Sequence, residues 1–203
     1  MENTQKKSIK SWVIWALVIG LVVIDQIVKF SVKTTMTLGE SHNVIGTWFR
    51  WCFVENEGAA FGMALGGKYG KLALSLFRLV AISALAWFVG HLRRTGAKRG
   101  VVVGFAMILA GAIGNMVDSA FYGMIFSEST LTSVAQLLPE GGGYAPFLYG
   151  KVVDMLYFPL FYFPDWMPLI GGQLFFSPVF NVADSYITVA VFYLILFHWK
   201  EFK

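Results

Sequence analysis

Two aspartates stand in strongly apolar surroundings: Asp154 within KVVDML, and Asp184 within VFNVADSYITVA at the head of a hydrophobic run of lipid-crossing length. An ionised Asp at a bilayer centre costs about 2.5 to 3.5 kcal/mol on insertion scales, so such a residue calls for a partner, a water-filled cavity or a chemical task. Two carboxylates held together suit one task in particular. One draws a proton from water while the other, protonated, donates to the bond being broken.

Composition sets the frame in which they work. Of 203 residues, 57% are hydrophobic and only 14% charged, and the mean hydropathy is +0.63, which describes an integral membrane protein rather than a soluble globule. Four runs approach the roughly 20 residues that a helix needs to cross hydrocarbon: Trp12 to Phe30, Leu72 to Val89, Val101 to Phe121 and Val179 to Trp199. None alternates with a period of two, which favours helices over a barrel. The expected fold is an α-helical integral membrane protein, a single membrane domain of four transmembrane helices.

Orientation follows from the cations. Lys6, Lys7 and Lys10 precede the first run, Arg93, Arg94, Lys98 and Arg99 fill the short link between the second and third, and Lys200 and Lys203 close the sequence. By the positive-inside rule these segments and both termini are cytoplasmic. The long stretches Lys33 to Lys71 and Tyr122 to Pro178 are then extracytoplasmic outer loops. The net charge of +4 reflects this topology and not nucleic-acid binding. A cleavable leader at Trp12 to Ile24 is disfavoured because Asp25 and Lys29 follow in place of a small-x-small site. Cys52 is the single cysteine and forms no internal disulfide.

The outer loops carry local signals. FRWCFV (Phe49 to Val54) reads as a strand of a small sheet on the outer leaflet. Gly66, Gly67 and Gly70 suit a turn into the second helix, Gly141 to Gly143 a flexible joint, and FPLFYFPDWMP (Phe158 to Pro168) an interfacial aromatic belt broken by prolines. The polar residues collect at one depth. Asp25 lies about 20 Å along the first helix from Trp12, with Lys29 one turn on, in the favourable order for an ion pair. Gly104, Gly111, Asn115 and Asp118 share a face of the third helix: the glycines admit a close neighbour, and the polar pair braces the backbone around a site. Asn181 and Asp184 are spaced i,i+3, and ENEGAAFGM (Glu55 to Met63) reads as a turn that approaches something closely with its backbone. Asp25, Asn56, Asn115, Asp154 and Asp184 thus arrive on the same side from five segments.

DQIVK (Asp25 to Lys29), NEGAAFG (Asn56 to Gly62), GNMVD (Gly114 to Asp118), VVD (Val152 to Asp154) and FNVADS (Phe180 to Ser185) stand in the order found in the lipoprotein signal peptidase, or signal peptidase II, family of bacterial inner membranes, which the chain resembles over nearly its whole length. The resemblance implies an intramembrane aspartic endopeptidase that removes signal peptides from prolipoproteins by cutting just before a diacylglyceryl-modified cysteine. By position it makes Asp154 and Asp184 the catalytic pair, and Asn56, Gly58, Asn115, Asp118, Asn181, Asp25 and Lys29 residues that bind substrate or support the site. Two departures stand out. Ser119 follows Asp118 where the family usually has Arg, for which Arg78, about two turns into the second helix, is a candidate replacement. The step from Asp118 to Asp154 is also longer than usual, with an insertion at about Met124 to Tyr149 that suits either a lid or docking element or a neutral loop.

No metal or cofactor is expected: His42 lies in an outer loop while His91 and His198 lie at cytoplasmic ends, so the three cannot cluster. The rival reading is a small ion- or proton-coupled carrier. Relays need midplane carboxylates with access from both faces, whereas these cluster outward. The expected partners are membrane lipid and a lipid-modified precursor, for an enzyme that works as a monomer.

Overall fold

The computed structural model describes residues 9–57 and 67–202. In chain order it runs α1 (Ser11–Thr35), β1 (Ser41–Ile45), β2 (Phe49–Asn56), α2 (Gly67–Arg94), α3 (Arg99–Val117), a π-helical turn (Asp118–Tyr122), the short α4 (Gly123–Ile125), β3 (Val152–Tyr157), β4 (Val179–Phe180), α5 (Val182–His198) and a closing 3-10 turn (Trp199–Phe202). These elements form two compact units. One comprises Met1–Gln26, Leu65–Val117 and Val182–Lys203; the other comprises Ile27–Ala64 and Asp118–Asn181.

Among the described residues four helical segments are long and apolar enough to cross a membrane, and the greater part of each lies in the helical unit. Half of α3's apolar window is buried, against 11% for α2 and 17% for α5, which makes α3 the central helix. Ile14 and Val18 of α1 and Val89 of α2 pack with Val102, Ala106, Leu109 and Ala110 of α3. Small residues bring α5 close: a Cβ at Gly104 would stand 2.7 Å from Leu194 Cδ2, and one at Gly111 would strike the Ala183 carbonyl. Phe77, Val80 and Trp87 of α2 and Phe192, Leu196 and Phe197 of α5 are exposed, as an apolar surface turned to lipid must be. At the end of α2, Gly96 takes φ 73° and the Ala97 N–H returns to the Leu92 carbonyl at 3.0 Å, closing the helix with a left-handed cap.

The sheet unit is built on four antiparallel strands in the order β1-β2-β3-β4. Val54 pairs with Asp154 and Asn56 with Val152, so side chains of alternate residues share a face. One face supplies Phe53, Val153 and Met155 to a core completed by Val32 and Met36 from the end of α1 and by Tyr122, Phe126 and Ala135. Phe126 and Ala135 come from the insertion, which is therefore part of this core. It doubles back on itself through the Phe126–Leu137 bridge and a bond of 2.9 Å from the Ser127 N–H to the Gln136 carbonyl.

Several element limits differ from those expected. Helix α1 continues past Phe30 to Thr35 because Lys29 and Lys33, which end the apolar run, are both fully buried and ion-paired, so the helix need not end at water. Helix α5 begins at Val182 because Val179 and Phe180 pair with Tyr157 and Leu156 of β3. Gly67 and Gly70 belong to the first turn of α2 and not to a turn before it, while Gly66 lies outside the described residues. Gly141 to Gly143 form no loose joint. Gly142 takes φ 83° with its N–H on the Pro139 carbonyl at 2.9 Å, and a Cβ on Gly143 would overlap the Gly123 carbonyl.

Candidate active site

Strand β3 carries Asp154 on the face opposite the sheet core, and the carboxyl is 3% exposed. Two amides orient it. Asn181 Nδ2 donates to Oδ1 at 2.7 Å, and Asn56 Nδ2, two residues along β2 from the partner Val54, donates to Oδ2 at 3.3 Å. A donor on each oxygen leaves the carboxyl little freedom to rotate.

The strand beneath Asp154 is itself fixed. Asp118, the first residue of the π-helical turn, accepts the Val153 N–H at 3.1 Å and pairs with Lys29 Nζ at 2.9 Å, both side chains being fully buried. A helix extended by one residue per turn is a frequent device where a side chain must be re-aimed. Here it turns Asp118 toward the backbone next to Asp154. Ser119, in the position of the expected cation, is fully buried.

A second buried network borders the same strands. Lys33 Nζ pairs with Glu55 and donates to Ser129 Oγ at 2.9 Å, while Ser129 donates to Glu55 at 3.1 Å. Lys151 Nζ stands 3.6 Å from the other Glu55 oxygen. The Lys33 ammonium also lies 5.4 Å from the Phe126 ring and 5.1 Å from that of Tyr144, within cation–π range. Burial pushes the Tyr144 phenol up, with Glu55 adding to the effect, although the Lys151 N–H donated to its oxygen at 2.7 Å acts the other way. The insertion is thus bound to the strand that carries Asn56 by a buried cation.

In the helical unit, Asp184 sits in the first turn of α5, where the helix dipole favours negative charge, and accepts Asn115 Nδ2 at 2.8 Å. Asp25, fully buried, accepts the Ala183 N–H at 2.8 Å and so fixes the start of α5 beside Asp184. Gln26 donates to Asp25 at 3.2 Å and to the Gly114 carbonyl at 3.1 Å, linking α1 to α3 at the same level. Gly114 is required by contact. A Cβ there would stand 2.6 Å from Asp25 Oδ2 and 3.2 Å from the Ala183 Cβ.

The residues singled out from sequence accordingly fall in two sets. Asp154, Asn56, Asn181, Asp118 and Lys29 belong to the sheet unit; Asp184, Asn115, Asp25 and the half-buried Arg78 of α2 belong to the helical unit. Gly58 lies outside the described residues. Lys33, Glu55, Gln26 and Tyr144 escaped the sequence reading. A signal for Lys33 was present in the four-residue recurrence of Asp25, Lys29 and Lys33 along one face of α1, all three fully buried.

Comparison with known proteins gives concordant results. Residues 17–200 match the family described as signal peptidase (SPase) II. The chain is 48% identical over 192 residues to the lipoprotein signal peptidase of Porphyromonas gingivalis strain W83, covering 91% of this chain and 81% of that one. It is 34% identical over 193 residues to that of Amoebophilus asiaticus strain 5a2, covering 92% and 78%. A solved structure described as a bacterial membrane enzyme superposes with a TM-score of 0.65 at 23% identity, covering 97% of this chain and 93% of the other, a likeness of fold. Neither fold nor relatives support the carrier reading.

Proposed function

The chain belongs to the signal peptidase II family of aspartic endopeptidases, and from that membership we infer that it removes signal peptides from prolipoproteins, with Asp154 and Asp184 as the reacting pair. The observation that carries the pairing is Asn181. Its amide holds Asp154 at 2.7 Å, and it precedes Asp184 by three residues of chain. Such a link spans about 10 Å at most when fully extended and roughly half that in a helical turn. Asn115 and Asp118 repeat the pattern with the same spacing: one donates to Asp184, and the other holds the backbone beside Asp154.

Two carboxyls acting as a pair share a proton, because the second ionisation would be made against the charge of the first. The ionised member takes a proton from water, whose oxygen attacks the scissile carbonyl carbon. The protonated member donates to the carbonyl oxygen and forms the tetrahedral intermediate. On collapse the C–N bond breaks and a proton passes to the leaving nitrogen, so the products are a signal-peptide carboxylate and a free α-amine on the lipid-modified cysteine. The pair titrates as one unit, so the roles of acid and base belong to the pair and not to either residue. Asn56, Asn181, Asn115, Asp118, Asp25 and Lys29 position it, and Arg78 supplies the cation that Ser119 does not.

By the positive-inside rule the cluster Arg93, Arg94, Lys98 and Arg99 in the α2–α3 link favours the cytoplasmic side of a bacterial inner membrane for that end of the helices and for both termini. The aspartates then work near the outer face, in a protein that acts as a monomer. The test is direct. Purified protein in proteoliposomes, given a precursor carrying a diacylglyceryl-modified cysteine, yields a product whose mass starts at that cysteine. Recovery of intact precursor from protein that has kept its helical circular dichroism would overturn the assignment.

A further inference from the structure

Between β3 and β4, residues 158–178 form a second, smaller hairpin that the chemistry above does not use. Its arms are tied by the Tyr162–Leu174 bridge and by bonds of 2.9 Å from the Phe163 N–H to the Gln173 carbonyl and 2.8 Å from the Phe175 N–H to the Phe161 carbonyl. Phe161 and Phe175 stack across it with ring centroids 4.6 Å apart. The tip projects large apolar side chains away from the protein: Trp166 is 79% exposed and Leu169 96%. Leu169 is also held at φ 70°, a region that side chains other than Gly, Asn and Asp seldom adopt. In water this tip would be an unexplained apolar patch.

We propose that this hairpin is immersed in the headgroup and upper acyl region of the leaflet at which α5 enters the membrane, with bilayer lipid as its occupant. Three features select lipid over a soluble partner. First, the hairpin is continuous with a membrane span: β4 ends at Phe180 and α5 starts at Val182. Second, among residues 158–180 the single charged side chain is Asp165, and of the exposed aromatics Phe161, Tyr162, Trp166 and Phe175 the tyrosine and tryptophan are the types that accumulate at the lipid–water boundary.

Third, the backbone is prepared for a medium that offers few hydrogen bonds. Four of the chain's six prolines, Pro159, Pro164, Pro168 and Pro178, stand here and present no N–H. At the tip, the N–H groups of Met167, Gly171, Gly172 and Gln173 bond to carbonyls within the hairpin at 2.9 to 3.0 Å, and the Gln173 side chain donates to the Leu169 carbonyl at 3.1 Å. The hairpin joins the strand of Asp154 to the helix of Asp184. The immersion itself does not depend on the proteolytic reading.

The experiment uses the full chain in phosphatidylcholine nanodiscs. Cys52→Ser removes the single cysteine, Leu169→Cys carries a nitroxide label, and Glu140→Cys, exposed on the insertion, gives the aqueous reference. Power saturation should show the label at 169 losing access to a water-soluble nickel complex while keeping access to oxygen, the signature of depth in a bilayer. Nickel access equal to that at 140 would overturn the proposal, as would loss of access to both reagents, which marks burial against protein. Should Leu169→Cys fail to fold, the label at Trp166→Cys carries the same test.

Discussion

Removing one partner of the Lys29–Asp118 pair should cost far more than removing both. The charged atoms are 2.9 Å apart with both side chains fully buried, so no water can replace a lost partner. At an effective dielectric of about 20 their gross attraction is about 6 kcal/mol, set against a desolvation penalty of several kcal/mol for each ion. The net worth of the pair is therefore small, but Lys29→Met strands a buried carboxylate at about 3 to 5 kcal/mol. Asp118→Leu strands a buried ammonium at a similar cost and also orphans the Val153 N–H, worth a further 1 to 3 kcal/mol or so. In Lys29→Met/Asp118→Leu both charges are gone, and the Val153 N–H is left unmet. The double variant should then lie at least about 3 kcal/mol above the sum of the singles. Unfolding by SDS titration in detergent micelles, followed by circular dichroism, gives all three values. Additivity within about 0.5 kcal/mol would mean that the two groups do not depend on each other, and the argument would fail.

Other consequences are simpler. Asn181→Ala removes the 2.7 Å bond to Asp154 and should lower turnover of a lipid-modified precursor by roughly 10- to 100-fold, the worth of a hydrogen bond to a charged group; unchanged turnover would remove Asn181 from the site. Gly114→Ala should push Asp25 off the Ala183 N–H and lower both stability and turnover, whereas Gly20→Ala, with nothing within 4 Å of its new methyl, should be neutral or slightly stabilising. A thermal melt of the two variants would settle it, and equal behaviour would refute the packing argument. Burial raises the Cys52 thiol above its ordinary range, against the opposing help of Ser41 and Arg50. A raised value means less thiolate at any given pH, so the midpoint of the pH–rate curve for alkylation by iodoacetamide should lie above the pH of about 8.5 at which an ordinary thiol is half ionised; a midpoint at or below that pH would contradict it.

The helices were legible because crossing a bilayer demands about 20 apolar residues, and that demand is written locally. Their ends were less so. The run Val179 to Trp199 joins a strand to a helix with no break in hydropathy, and only pairing with Tyr157 and Leu156 separates them. The first helix outlasts its apolar run because Lys29 and Lys33 find acids far along the sequence, at Asp118 and Glu55. Strand β2 announced itself through FRWCFV, but β3 did not, since its identity rests on register with β2 and on the bond from Val153 to Asp118. The aspartates and asparagines stood out by type, being polar groups in apolar sequence. Which amide holds which carboxyl, as with Asn181 on Asp154, is a long-range property that no spacing announces.

The central claim is that Asp154 and Asp184 act as one catalytic pair, and the most direct measurement is turnover of a diacylglyceryl-modified precursor by Asp154→Asn and Asp184→Asn, each compared with the unaltered protein and each checked for an unchanged thermal melt. Either substitution, made alone in a folded protein, should abolish cleavage. Substantial cleavage by either folded variant would contradict it.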